Sequence, residues 1–438
     1  MSAKCYKFFL TAALILGSSL ASALPFSSFD SRSMAMGGTG VAVGGVDAAP
    51  LFNPALLSVA KDDDHFGVIL PTVGIRIADP DKLMDSINKF QSANYINTLQ
   101  TSIDNLNTAL AGGSLPPMQS NAAIVATNLN TISTQLVTLS DKPITIDGGV
   151  ATVVGIPSKN FGVAFYANGT VATGGLFVYK DAPTISALAA QATCIANAAD
   201  APAAAACGTL TFDSNTTLKS GVNFRGVFLG EFGFSLSREF KIFDHDIALG
   251  ITPKITKAQL FDVPINVNSS NQTSFTGADY LAEYSIANFD LGAVKNYSNG
   301  WRTGVVIKNV IPQSLDFKRA SSAGATPIAT GEKLSLNPQA RVGVSHENSW
   351  STVAFDVDLT RNDPAGFESA TRYIALGGEL NAFGWAQLRA GYRVDMENNS
   401  RSVASVGVGL SPFGVHADVA LAGNANELGA SFQFGFHF

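Results

Sequence analysis

Side chains alternate along most of this chain with a period of two, most strictly at its end. From Ser431 to Phe438 every second residue is phenylalanine (Phe432, Phe434, Phe436, Phe438), with Ser431, Gln433, Gly435 and His437 between them. In a strand this puts four rings on one face and small or polar groups on the other. Weaker alternation recurs at approximately 65–78, 144–156, 160–179, 218–240, 245–260, 280–296 and 301–311, and again at 334–346, 350–360, 370–382, 385–395, 401–411, 413–422 and 428–438. Tight turns are expected at 157–160, 241–244, 296–300, 346–349, 381–384 and 411–414, and longer links at 80–142, 180–215, 261–280, 312–333 and 361–370. The segments number fourteen; boundaries good to two to four residues leave twelve or sixteen strands open. Short turns at one end and long loops at the other, with an even strand count, predict an antiparallel transmembrane barrel whose ends lie on the periplasmic side.

Composition narrows this to a membrane barrel. Charged residues make up 14% of the chain, against roughly 25% in soluble domains, while Gly reaches 41 and Phe 29. No stretch of the mature chain approaches the run of about 18 apolar residues that a helical span needs. Only a closed barrel then pairs every backbone polar group inside a bilayer. The three tryptophans, Trp301, Trp350 and Trp385, each follow an expected short turn, as an aromatic girdle at the membrane boundary would. Phe434, Phe436 and Phe438 close the last strand in the manner of the terminal signal read by the barrel-insertion machinery.

The N-terminus reads as an export signal, residues 1–23: Lys4 and Lys7 are basic, residues 8–20 are apolar but too few to span, and Ala21-Ser22-Ala23 suits cleavage. Cys5 leaves with it, and the pair Cys194 and Cys207 remains. In an oxidising compartment they suggest one disulfide closing an Ala-rich loop at 180–215, the alternative being two free thiols. The chain divides into the signal, an N-terminal plug at 24–63 and the barrel at 64–438.

Two segments break the strand pattern. At 80–142, Leu83, Ile87, Phe90, Ile96, Leu99, Ile103, Leu106 and Leu110 mark an amphipathic helix, broken near 112–117 and resumed by Ile124 to Leu139. This predicts an inserted helical hairpin packed on itself or the barrel rim; a docking groove for a lipid or partner helix is the alternative. Leu24 to Ala60 is rich in glycine, with Arg32, Gly37 and Gly38 in one cluster and a turn at Asn53-Pro54. No Lys-Ser or Lys-Thr completes a phosphate loop there, and a compact plug in the lumen fits better.

Parity places charged side chains on the inner face of the C-terminal strands: Arg341, Asp356, Asp358, Glu379, Arg389 and Arg393, each between apolar or small outward neighbours. Buried charges need partners, so an ion-pair ladder filling the lumen is expected, with a substrate-binding cluster as the alternative. The net charge of -6 and the absence of a basic run argue against direct nucleic-acid binding. No Gly-x-Ser-x-Gly, His-Glu-x-x-His or paired Cys-His spacing is present, so neither an enzyme nor a cofactor or metal site is expected.

The N-terminal cluster resembles the opening of the FadL-like long-chain fatty-acid transporters, whose equivalent stretch folds into the lumen as a hatch. Over nearly the whole mature chain the sequence is similar to the conjugal transfer TraF-like outer-membrane family, through residues 337–346 (NPQARVGVSH), 355–363 (FDVDLTRND), 373–393 (YIALGGELNAFGWAQLRAGYR) and 409–414 (GLSPFG). The first resemblance implies passage or binding of a hydrophobic small molecule through a plugged barrel in the outer membrane. The second implies a surface protein acting in conjugal transfer or cell contact, with conjugation or cell-surface proteins as partners and the barrel as anchor. The pilus-assembly protein that shares the TraF name resembles thioredoxin, and no Cys-x-x-Cys occurs here.

Overall fold

The computed structural model describes residues 29–59, 65–213, 218–266, 278–320 and 325–438. The expected signal at 1–23 and both edges of the expected plug fall outside these residues.

The alternating segments form β1 (Gly67–Ala78), β2 (Pro143–Ile156), β3 (Gly162–Val178), β4 (Gly221–Ile242), β5 (His245–Asn266), β6 (Leu281–Asn296) and β7 (Trp301–Lys308). After a hairpin of β8 (Gln313–Arg319) and β9 (Ile328–Leu336) come β10 (Gln339–Glu347), β11 (Ser351–Asp358), β12 (Tyr373–Ala382), β13 (Ala386–Asp395), β14 (Val403–Leu410), β15 (Val415–Gly423) and β16 (Glu427–His437). All but β8 and β9 make one closed antiparallel barrel of fourteen strands, with β7 paired to β10 across the hairpin and β1 closing on β16. The closure continues past the strand ends: the N–H groups of His65 and Phe66 donate to the Phe438 carbonyl, and Phe438 N–H returns a bond to Phe66. The start of β1 and the end of β16 thus lie at the short-turn end of the barrel.

Parity decides which side chains face inward. On β1, Val73, Ile75 and Ile77 are exposed outside, while Thr72 is buried and Arg76 points to the lumen. Trp301, Trp350 and Trp385 lie exposed at the short-turn end beside Phe161, Phe243, Tyr297, Phe383 and Phe413. Among the described residues no helix is long and apolar enough to cross a membrane.

Residues 29–59 lie inside the barrel, with two short helical turns, α1 (Ser31–Ala35) and α2 (Ala49–Phe52), and a 3-10 turn at Pro54–Ser58. At the long-loop end a helical lobe gathers α3 (Leu83–Ser92), α4 (Tyr95–Gly112), α5 (Leu115–Leu139), α6 (Ala182–Ala196) and α7 (Ala201–Ala206). The stripe Leu99, Ile103, Leu106, Leu129 and Leu136 is buried there against Ile185, Leu188 and Ile195. That stripe is therefore core, not an open groove.

Three expectations need correction. The Ala-rich segment is two helices, not a loop: alanine has the highest helix propensity, and Ile185, Leu188, Ala192 and Ile195 supply a buried face at helical spacing. The inserted hairpin has a third helix, because its first arm breaks at Ala93-Asn94, where Asn94 is left-handed (φ 53). The 312–333 link holds most of the β8–β9 hairpin, whose Leu315, Phe317, Leu334 and Leu336 are buried against the inward-facing Val227, Ala258, Leu260 and Ile286 of the barrel wall. A structure-bearing loop folded into the mouth leaves no outward alternation for the sequence to display.

Candidate functional site

The lumen is occupied from the short-turn side by residues 29–59, a hatch built on close backbone contact. Glycines on successive strands admit it: a Cβ at Gly391 would overlap Gly37 nitrogen, and one at Gly292 would overlap the Asn53 side chain. Gly37 itself is left-handed (φ 73) and is wedged against the β12 and β13 backbone, where only glycine avoids both strain and collision. Asn53 is fully buried and its amide spans three elements. Nδ2 donates to the carbonyls of Val41 (3.0 Å), Ala293 (3.3 Å) and Val305 (3.3 Å), while Oδ1 accepts from Ala55 N–H (3.1 Å). Asp30 caps α1 by accepting from Ser33 N–H at 2.7 Å, and burial pushes its carboxyl up to about 6.

Charged latches tie this hatch to the wall. Arg32 donates Nε and Nη2 to the two oxygens of Glu379 (2.8 and 2.9 Å) and Nη1 to the Val43 carbonyl. Glu379 also accepts from Arg389, which reaches Asp418; Asp418 meets His416 Nδ1 at 3.0 Å, and His416 Nε2 lies 3.3 Å from Asp47 of the hatch. The chain of charges begins and ends on the hatch. Asp356 accepts from the N–H groups of Gly40 (2.8 Å) and Val41 (3.1 Å), and Arg341 pairs with Asp358 (2.6 Å) while donating to the Gly38 carbonyl (3.1 Å). Arg393 pairs with Glu427 at 3.1 Å and lies 4.4 Å over the Tyr373 ring. All six charges read from parity face the lumen and are held by protein partners. A polar cavity of about 360 Å³ separates hatch from wall on the short-turn side.

A second closure crosses the long-loop end. The link between β11 and β12 is tied at its base by paired backbone bonds of Asn362 and Thr371 (2.8 Å each), and its tip reaches across the mouth. There Gly366 abuts Gly174 of β3, half a circumference from β11 and β12 in the strand order. Phe367 lies 4.9 Å under the Arg225 guanidinium. Glu368 receives Arg76 at 2.7 Å, and Arg76 also binds Asp147 (2.7 Å) and Glu427 (2.9 Å). Arg401 donates to the carbonyls of Ser369 (2.7 Å) and Ala370 (2.6 Å). We term residues 361–372 the strap.

Arg76, Asp147, Asp418 and Glu427 were findable by extending the same parity argument to every strand; Arg76, for example, sits between Ile75 and Ile77. The same holds for Lys254, whose Nζ bridges Glu231 and Asp290 (3.0 Å each) from three adjacent strands. Asp47 and Glu368 lie on irregular backbone and carry no such signal. Cys194 and Cys207 form a disulfide within the helical lobe (Cα–Cα 6.0 Å), away from the lumen. Among the described residues no cluster of three His, Cys, Asp or Glu is arranged to hold a metal.

A barrel stoppered by a hatch, with the sequence pattern above, matches the family model described as F plasmid transfer operon, TraF, protein over residues 50–358. The chain belongs to this family. Among solved structures this family member is similar to the Ralstonia pickettii toluene transporter TbuX, at 14% identity and TM-score 0.51, over 96% of this chain and 99% of that one. A Pseudomonas aeruginosa FadL homologue (12% identity, TM-score 0.51, 95% and 99% covered) and the monoaromatic hydrocarbon channel CymD (11%, 0.51, 95% and 99%) are similar in the same way. At such identities the likeness establishes the fold. No curated protein sequence matches significantly.

Proposed function

We propose that this protein is an outer-membrane barrel that passes a small, largely apolar molecule past a displaceable hatch, and that it acts by passage, not by chemistry. The observation that carries this reading is the hatch itself: a segment of the same chain fills the lumen and is held by ion pairs and hydrogen bonds that can be exchanged. A barrel serving only as an anchor has no need of such a stopper. The short turns would face the periplasm and the helical lobe the exterior, with outer-membrane lipid around the girdle and the barrel-insertion machinery as assembly partner. That the similar barrels are a toluene transporter and a monoaromatic hydrocarbon channel supports the choice of cargo.

The family description favours a second reading, an interaction protein in conjugal transfer that uses the helical lobe as its contact. Uptake of radiolabelled toluene and of a labelled fatty acid should fall in a deletion strain and return on complementation, with mating frequency unchanged. Normal uptake with impaired mating would favour the second reading.

A further inference from the structure

Between strap and hatch lie three small cavities that share walls. The outer one, about 130 Å³, is bounded by Pro364, Ala365, Gly366 and Glu368 of the strap. The inner ones, about 90 and 20 Å³, are bounded by hatch residues including Phe29. Arg76, Asp147, Tyr373 and Arg393 line both the first and the second, and Asn168, Glu231 and Lys308 line both the first and the third. Together they mark one chamber closed on both sides by parts of the chain that are not barrel wall.

We propose that this chamber binds a molecule of single-ring size that carries a neutral hydrogen-bonding group, in preference to the bare hydrocarbon. This deepens the passage reading and rests on it. The size follows from the outer cavity, whose volume of about 130 Å³ is close to the roughly 150 Å³ of a cavity that accepts benzene. The apolar part has a surface to meet in Leu229, Ile286, Leu336 and Ala365. The polar part is required by the rest of the lining. Arg76, Asp147 and Glu368 stand on one side, and Lys254, Glu231 and Asn288 on another. A hydrocarbon pressed among these would strip their hydration and return nothing, whereas a hydroxyl supplies a donor and an acceptor.

The group should be neutral, because the lining cations Arg76, Lys254 and Arg393 are already paired with carboxylates. Arg76 is shared by Asp147, Glu368 and Glu427, and Lys254 by Glu231 and Asp290. An ionic ligand would have to break a buried pair, which is costly. A donor stands ready for a hydroxyl: Arg393 Nε is buried, has no hydrogen-bond partner, and belongs to a residue lining both larger cavities.

The test is calorimetric titration of the purified full-length protein in detergent with toluene and with benzyl alcohol, against protein-free micelles. Benzyl alcohol should bind about tenfold or more tightly than toluene, the effect of a hydrogen bond to a charged group. Ala172→Phe, which fills the chamber from β3, should abolish that binding in protein that still migrates as a folded barrel on gels. Arg393→Lys keeps the charge facing Glu427 but lacks Nε, and should bring the two ligands closer in affinity. Equal or tighter binding of toluene, benzyl alcohol binding that ignores Ala172→Phe, or no binding of either ligand would each overturn the chamber assignment. Toluene uptake by cells reports separately on passage, so the chamber can fail while that reading stands.

Discussion

Asn53 ties the hatch to the wall through one amide, whose Nδ2 reaches the Ala293 and Val305 carbonyls while the same group bonds Val41 and Ala55 within the hatch. Asn53→Ala should leave buried carbonyls unpaired and cost the docked hatch about 1–3 kcal/mol. Hydrogen exchange of hatch amides should accelerate accordingly while barrel amides stay protected; unchanged hatch protection would show that Asn53 contributes nothing. Asp30 gives a pH-dependent counterpart. Its carboxyl is raised by burial to about 6, so the docked hatch binds a proton more readily than the free one. Its contribution is complete below the ordinary carboxylate range and is lost as pH rises through 6. Asp30→Asn, neutral at all pH, should therefore protect the hatch better than the parent at pH 7, by up to about 3 kcal/mol, and equally at pH 4. Equal exchange of parent and variant at pH 7 would contradict the assignment.

Among the elements, strands that form the barrel wall are legible because their two faces meet different surroundings and a period of two records it. The last strand is the clearest case, with Phe432 exposed outside and Gln433 buried inside. Segments that fold back onto protein carry no such record. β8 and most of β9 bury one face inside the mouth and fall in the expected 312–333 link; α6 and α7 have so few polar residues that their helical face is hidden in alanine. The strap has no periodicity at all, and neither does its contact with Gly174. Phe438 extends the legible strand into barrel closure, since its backbone bonds to His65 and Phe66. Deleting it should slow assembly, through those bonds and part of the roughly 1.5–3 kcal/mol that full burial of the ring in lipid would contribute. Pulse-chase appearance of heat-modifiable barrel measures this, and parent-like kinetics would count against it.

For the whole molecule, alternation gave the closed barrel and parity gave the inner charges, while the pairing of those charges depends on register and on what enters the lumen. Glu379 reads from sequence as an inward carboxylate; that Arg32 meets it from 347 residues away does not. The proposed orientation puts tags at Asn299, Asn348 or Gly384 out of reach of external reagents in intact cells, and a tag at Ala325 within reach. Labelling at the first three without permeabilisation would invert the barrel.

Hatch and strap together close an otherwise open lumen, and planar-bilayer conductance reads that closure. The intact protein should conduct little. Removing residues 24–53 should release the inner closure and give openings, and removing residues 363–369 as well should give a steady channel past Arg341, Asp356, Glu379 and Arg389. A wide pore in the intact protein, or a folded double deletion that stays closed, would show that they do not close it.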